Sequence, residues 1–369
     1  MSLKCLHDVE MLYAFNYSDH EWARLKVENL NRRHLTMPCC GARSVLKTSK
    51  LGTQFFAHAR TGECTTAPET AEHLLAKNII AKAVQIAGWE VSTEFPGQSH
   101  DNGQWVADVM AIRDHRRVAI EVQWSKQDQE ETKRRQERYT RSGVRGLWLM
   151  RHPNLLMEKE TPTYRLRYKE ESHSFSVLMP SSSFNASWVG NHNKDDLRFW
   201  QQEIDLSTFV IGALNGSLKF EPAIGQRMPV SVSTAPVQCW RCKKDTNIVI
   251  GIEFEAGKIL IGHSSITADI YDFDEIYGCD DFLYTVFSPA LLKQHGIGQI
   301  KRRFSRTVGG EYLSNGCVHC DALQGRFFDH DSWYEARVTY TVEAELSDRW
   351  ACQLSNSYDQ MSRWWFDET

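Results

Sequence analysis

The segment from Glu69 to Met150 restricts the fold more than any other part of the chain, because its hydrophobic period changes in a fixed order. After Pro68, the run ETAEHLLAKNIIAKAVQIA (Glu69–Ala87) has an acidic first turn. It places Leu74, Ala81 and Val84 near one face and meets a stop at Gly88, which predicts a helix. Three strand-like runs follow, at Glu90–Phe95, Trp105–Ile112 and Arg117–Trp124. A charged helix is expected over 127–141, closed by Gly143, and Val144–Met150 reads as another strand. Helix, strand, strand, strand, helix, strand predicts a mixed α/β core, a central sheet flanked by helices.

Side chains on a strand repeat every two residues, so Glu121 and Gln123 share one face and Ile120, Val122 and Trp124 the other. If Asp114-His115 is a two-residue hairpin turn, Asp108 falls directly opposite Glu121. Facing like charges are destabilising. A hard divalent cation, Mg²⁺ or Mn²⁺, would resolve the conflict. The alternative is two solvated polar residues on a half-exposed sheet. Glu69, His73 and Lys77, spaced by four, share one helical face. They form either an exposed stripe with Glu-to-Lys stabilisation or a polar edge bordering the metal site. From Arg113 to Arg151, 11 Lys plus Arg outnumber 6 Asp plus Glu, so Arg134, Arg135 and Arg138 are candidates for phosphate contact or a solvated helix face.

Ten cysteines bring a second kind of chemistry. Cys239-Trp-Arg-Cys242 and Cys317-Val-His-Cys320 are two C-x-x-C pairs, and four thiolates suit a structural, tetrahedral Zn²⁺. The long separation makes this a ribbon interrupted by an insertion, with His319 an alternative ligand. Cys39, Cys40, His58 and Cys64 are a further candidate zinc set, against which stands a packed knuckle without metal. Lys301, Arg302 and Arg303, beside the second pair, are a candidate nucleic-acid clamp or a solvated loop.

Hydrophobic residues at 41% and charged residues at 24% exclude a disordered chain, and a net charge of −4 excludes a wholly basic nucleic-acid coat. No apolar run reaches membrane-spanning length, and the start MSLKCLHDVEM lacks a signal-peptide pattern. A cytoplasmic protein with no membrane partner is expected. No nucleophile elbow or phosphate-cradling glycine motif is present. The expected regions are 1–66, with the N-terminal knuckle; 67–230, the α/β domain; and 231–369, a zinc-ribbon-like α+β module with an insertion.

Several ordered segments together resemble the competence protein CoiA-like family of the PD-(D/E)XK nuclease superfamily. They are FFAH (Phe55–His58), Cys64, ETAEHLLAK (Glu69–Lys77), WVADV (Trp105–Val109), AIEVQWS (Ala119–Ser125), RRQERY (Arg134–Tyr139) and GLWLM (Gly146–Met150). The resemblance implies a restriction-endonuclease-like core of order αβββαβ and Mg²⁺- or Mn²⁺-dependent hydrolysis of DNA phosphodiesters. It implies a setting in DNA uptake, recombination or defence against foreign DNA. By the same carry-over Asp108 and Glu121 hold the metal, Gln123 stands where many relatives have lysine, and Glu94, Glu69, His73 and Lys77 line the site. Lys77 or Arg135 would have to supply the charge that Gln123 lacks. Relatives often carry C-x-x-C before the FAH segment, whereas here Met37 takes the first position and Cys39 and Cys40 are adjacent. Two other readings remain: a non-catalytic nucleic-acid-binding or adaptor protein on a nuclease fold, and a partner in a larger complex with a helicase or other ATPase.

Overall fold

The computed structural model describes residues 1–60, 69–152, 155–156, 158–180, 200–221, 225–255, 265–274, 281–325, 332–347 and 363–367. The chain divides into two compact units, Met1–Lys219 with Phe366–Thr369 and Phe220–Trp365. Residues 1–66 thus share the first unit with the central sheet. Among the described residues no helix is long and apolar enough to cross a membrane.

In the first unit, strands β1 (Lys4–His7), β2 (Glu10–Tyr13) and β3 (Leu35–Thr36) form a small sheet with β1 in the middle. Helix α1 (Asp19–Arg32) starts at a capping box in which Ser18 and Glu21 bond each other's backbone N–H. No helix was expected there, although Ser18-Asp19-His20-Glu21 is a visible start signal. Strands β4 (Ser44–Thr48) and β5 (Gln54–His58) form a hairpin. Buried Trp22 of α1 meets buried Phe56 edge-on, with ring centroids 4.9 Å apart.

Helix α2 (Ala71–Ile86) begins where the Thr70 hydroxyl accepts the His73 N–H and ends before Gly88, whose φ of +76° a non-glycine residue would resist. The next strands are β6 (Glu90–Gln98), β7 (Gln104–Arg113) and β8 (Arg116–Gln123), then helix α3 (Gln129–Arg141) and strand β9 (Arg145–Met150). The sheet continues through β10 (Thr163–Lys169), β11 (Ser174–Pro180) and β12 (Trp200–Asp205), in spatial order β12-β11-β10-β9-β8-β7-β6. Strands β6, β7 and β8 are antiparallel neighbours, whereas β8 and β9 are parallel and joined through α3. Ala119 and Trp148 lie in the core beneath Tyr139 of α3. Buried Ile120, Val122, Leu147 and Leu149 alternate to the other face. Helix α2 packs on β6, β7 and β8, with α4 (Leu206–Asn215) alongside it.

The β7–β8 turn is Asp114-His115, with Asp114 at φ +54° and Arg113 paired with Arg116. The paired register runs from there to Val109–Ile120 and stops one step before Asp108 and Glu121. At that step Asp108 Oδ2 accepts the Val122 N–H at 2.9 Å, so a side chain takes the place of a backbone partner. The directly facing pair expected from the turn is therefore replaced by a local opening of the two strands.

The second unit follows the short strand β13 (Leu218–Glu221) at the boundary. Strands β14 (Arg227–Gln238), β15 (Asp245–Glu255) and β16 (Ser265–Asp269) join an antiparallel sheet. Helices α5 (Asp281–Val286) and α6 (Pro289–Gln294) follow, then β17 (Ile300–Ser305), β18 (Gly310–Gly316) and β19 (Leu323–Gln324), a three-stranded sheet. Strand β20 (Arg337–Glu345) returns to pair with β14. Val230, Val249, Phe273, Phe282 and Leu313 share one core. A Cβ on Gly298 would stand 2.0 Å from the Gly316 carbonyl oxygen, so only glycine allows that crossing.

Candidate functional site

The Glu69, His73 and Lys77 stripe turns inward. Lys77 is fully buried. Its Nζ donates to Glu69 Oε1 at 2.8 Å and Glu94 Oε1 at 2.5 Å, and stands 3.9 Å from Asp108 Oδ1. Burial alone would strip the proton from this ammonium. The charges of Glu94, Glu69 and Asp108 outweigh it and push the Lys77 pKa upward. His73 Nε2 lies 3.4 Å from Asp108 Oδ2, and Nδ1 lies 3.8 Å from Glu69 Oε1. Here too burial opposes the charged form, and Asp108 and Glu69 overcome it and raise the His73 pKa.

Glu94 sits level with Asp108, between the pairs Thr93–Val109 and Phe95–Ala107, at an unusual φ of +46°. Its carboxylate accepts from Ser2 Oγ at 3.1 Å and the Leu3 N–H at 3.4 Å, and its carbonyl from Lys4 Nζ at 3.0 Å. The N-terminal strand thereby becomes part of the site. No sequence pattern marks Ser2 or Lys4 for that role.

Glu121 and Gln123 do share a face, and it is the face of α3. Glu121 Oε2 accepts from Arg135 Nη2 at 2.6 Å, and Oε1 accepts from the Tyr139 hydroxyl. Arg135 Nη1 donates to Gln123 Oε1 at 3.2 Å and Gln127 Oε1 at 3.1 Å. Tyr139, the last residue of RRQERY, is a site residue that the candidate set lacks. Its signal was available as the single aromatic on a polar helix, four residues after Arg135. Burial and then the charge of Asp108 push the Glu121 pKa up, against Arg135 and Tyr139. Asp108 moves the other way. Burial works against its charge, and His73, Lys77 and the Val122 N–H prevail. Beside this pair, Gln104, Trp105, Val106, Arg135, Arg138 and Tyr139 line a cleft of about 280 Å³.

Glu69, His73 and Asp108 bring one donor atom each within 4.8 Å of one another, and Glu121 is not in that group. Glu69 Oε2 is buried and accepts no hydrogen bond. A buried carboxylate oxygen without a donor is costly unless a cation or water serves it. The donor set of two carboxylates and one imidazole therefore fits a divalent cation.

The four C-terminal thiols meet closely. Cys239 and Cys320 sulfurs are 3.7 Å apart, as are Cys242 and Cys317, and all four lie within 4.8 Å of one another. A tetrahedron with Zn–S of about 2.3 Å has edges of about 3.8 Å. His319 stays outside: its Nε2 lies 2.9 Å from the Asp245 carbonyl oxygen. Cys39, Cys40 and His58 also converge, while Cys64 lies outside the described residues.

Within each unit, most of the candidate phosphate-contacting cations are already paired with carboxylates. Arg134 pairs with Glu131 at 2.8 Å, Arg135 is turned inward, and Arg138 borders the cleft. Lys301 and Arg303 both pair with Asp321, and Arg302 pairs with Asp274 at 3.0 Å. Asp321 follows Cys320, so the basic strand β17 braces the second cysteine knuckle.

Residues 69–203 match the family model for the nuclease-like domain of the competence protein CoiA, about a third of the chain. Neither a curated protein nor a solved structure matches. The matched segment begins at Glu69 and ends in β12, so it contains every residue of the Lys77–Asp108–Glu121 network except those of the N-terminal strand. By this match residues 69–203 are similar to the nuclease-like domain of the competence protein CoiA, in line with the resemblance read from the sequence.

Proposed function

We propose that this domain is a metal-dependent nuclease of the PD-(D/E)XK type that hydrolyses DNA phosphodiester bonds, in DNA uptake, recombination or defence against foreign DNA. The observation that carries the reading is the convergence of Glu69, His73 and Asp108 around buried, charged Lys77. The order α2, β6, β7, β8, α3, β9 supports it. Glu69, Glu94 and Asp108 bring more negative charge than Lys77 neutralises, which favours a bound cation. Glu69, His73 and Asp108 would hold Mn²⁺ or Mg²⁺, and the imidazole donor favours Mn²⁺. When bound, such an ion polarises a phosphate and lowers the pKa of water.

The remaining work falls to the chain itself. Lys77 holds Glu69 and Glu94 in place and keeps a fixed positive charge beside Asp108, as Gln123 cannot. Arg135 orients Glu121 from one side and Gln123 from the other. Glu121, beside Asp108 with a raised pKa, is the candidate proton acceptor or third carboxylate for the metal. Arg138, which lines the cleft, is the candidate contact to a phosphate. The four cysteines would hold a structural Zn²⁺, with no position left for a substrate.

The test is cleavage of linear, circular and single-stranded DNA, with RNA alongside, in Mg²⁺, Mn²⁺ or EDTA. Wild type should cut only with metal, and Asp108→Asn should not cut. Undiminished cleavage by Asp108→Asn would overturn the assignment. A second reading, a nucleic-acid-binding protein that does not cut, is favoured by one observation: both Glu121 oxygens are already engaged by Arg135 and Tyr139. It predicts DNA binding that survives Asp108→Ala and no cleavage with any divalent ion.

A further inference from the structure

We propose that the first cysteine knuckle of the second unit, residues 239–244, is a contact for single-stranded nucleic acid. Trp240 stacks on an unpaired base, and Arg241, Lys243 and Lys244 hold the phosphates beside it. The two knuckles close in the same way. The Cys239 N–H bonds the Lys244 carbonyl, and the Cys317 N–H bonds the Ala322 carbonyl. Their side chains do opposite things. In the second knuckle, residues 317–322, the polar groups are engaged by the protein itself. The Val318 N–H donates to Thr246 Oγ1, His319 lies on the Asp245 carbonyl, and Asp321 pairs with Lys301 and Arg303. In the first, Trp240, Arg241, Lys243 and Lys244 are all exposed. Among the described residues none of these three cations lies within ion-pair distance of a carboxylate.

Trp240 is 55% exposed and yet held in place. Its indole Nε1 donates to the Leu323 carbonyl at 2.7 Å, at the start of β19 just after the second knuckle. The bond ties the two knuckles together and fixes the ring in one orientation. Trp89, Trp124 and Trp148 each carry an arginine over the ring. Among the described residues nothing of that kind covers Trp240. A fixed, open indole beside three exposed cations fits a ligand that is both flat and anionic. A single nucleic-acid strand is such a ligand, since every base has a π-face and the backbone supplies the phosphates. A duplex keeps its bases stacked on one another and offers the indole no face. An acidic protein segment would use the cations and leave the ring idle. Zn²⁺ with four thiolates carries a net charge of about −2, which nearby cations also balance, but that role asks nothing of Trp240.

Binding at this knuckle requires no cleavage, so it stands or falls apart from the nuclease reading. The test is fluorescence anisotropy of labelled oligo(dT), oligo(U) and duplex DNA of equal length with the full-length protein, in buffer without Mg²⁺, Mn²⁺ or chelator. Wild type should bind single strands more tightly than duplex, and the tighter of oligo(dT) and oligo(U) identifies DNA or RNA as the ligand. Trp240→Ala should weaken single-strand binding about tenfold and leave its salt dependence unchanged, and Trp240→Phe should lose much less. Replacing Arg241, Lys243 and Lys244 together by glutamine should lower the slope of log affinity against log salt by about 2, at about 0.7 per phosphate contact. Every variant should keep the zinc content of wild type. Wild-type affinity in both Trp240→Ala and the glutamine variant would overturn the proposal, as would equal losses on duplex and single strand in Trp240→Ala. Wild type that binds neither strand would leave the knuckle to an acidic protein partner and overturn it too. If the glutamine variant loses zinc, its cations serve the metal cluster, and the contrast between Trp240→Ala and Trp240→Phe on single strands decides.

Discussion

The four-cysteine cluster and the carboxylate–imidazole cluster each present a donor set that fits a cation, but they differ in what else holds them. Each cysteine knuckle repeats one local device. The N–H of Lys243 bonds the Cys239 carbonyl and that of Asp321 bonds the Cys317 carbonyl, with Lys243 at φ +59° and Asp321 at φ +55°. Four thiols then face each other, and among the described residues no cation of the chain's own pairs with them. The Glu69–His73–Asp108 cluster contains Lys77, a resident counter-charge bonded to two carboxylates. A site of the first kind is expected to depend on a bound metal for its geometry, whereas one of the second kind has its own counter-charge and is expected to stand without metal.

The largest effect should separate the two. Structural zinc contributes about 10–16 kcal/mol in zinc-finger peptides, more than most domains have in reserve. Cys317→Ser, or strong chelation, should unfold Phe220–Trp365 and leave the amides of the first unit protected, as read by hydrogen exchange. EDTA should leave the first unit's central sheet intact. A second unit that stays folded without zinc would break the comparison.

Next in size is Lys77→Met. It strands the Glu69 and Glu94 carboxylates in a buried site without their cation, and breaking such a pair costs about 3–5 kcal/mol. Urea denaturation should show that loss, and Glu94→Gln added to Lys77→Met should recover part of it. Asp108→Asn should do the reverse: small change in stability, with DNA cleavage reduced to the level of wild type in EDTA. Equal destabilisation by Lys77→Met and Asp108→Asn would mean that the cluster is a structural ion-pair network.

The sequence made the first of these clusters more legible than the second for the same reason. Each cysteine pair is spaced within one turn, so C-x-x-C announces itself. The helix α2, the strands β6 to β9 and the Asp114-His115 turn were legible too, because period and turn chemistry are local signals. Register alone puts Asp108 directly opposite Glu121, and the pairing stops one step short of them. The backbone cannot announce that Asp108 will take the Val122 N–H and end the pairing there. The inward turn of Lys77 was hidden because lysine is usually exposed, and only its tertiary partners bury it. Ser2 and Lys4 are some ninety residues from Glu94 in the chain, and contact across that distance has no local signature.

The smallest effect tests how the carboxylate cluster chooses between proton and metal. Asp108 and Glu69 raise the His73 pKa above its ordinary 6.5. For a group raised on folding, the stability it adds is fully present below 6.5 and is lost as pH rises through the raised value. A metal needs the lone pair of neutral imidazole, so its preference runs the opposite way. Below the raised pKa, Mn²⁺ must displace one proton, and its affinity should climb about tenfold per pH unit before it levels off. Calorimetry from pH 6 to 8.5, in buffers of different ionisation enthalpy, should show proton release that fades as pH rises. His73→Gln should bind Mn²⁺ more weakly and lose the proton release while keeping the fold. If the slope persists in His73→Gln, the displaced proton belongs to Glu121, whose pKa is also raised, and the metal reaches across the strand opening to the carboxylate that Arg135 and Tyr139 now hold.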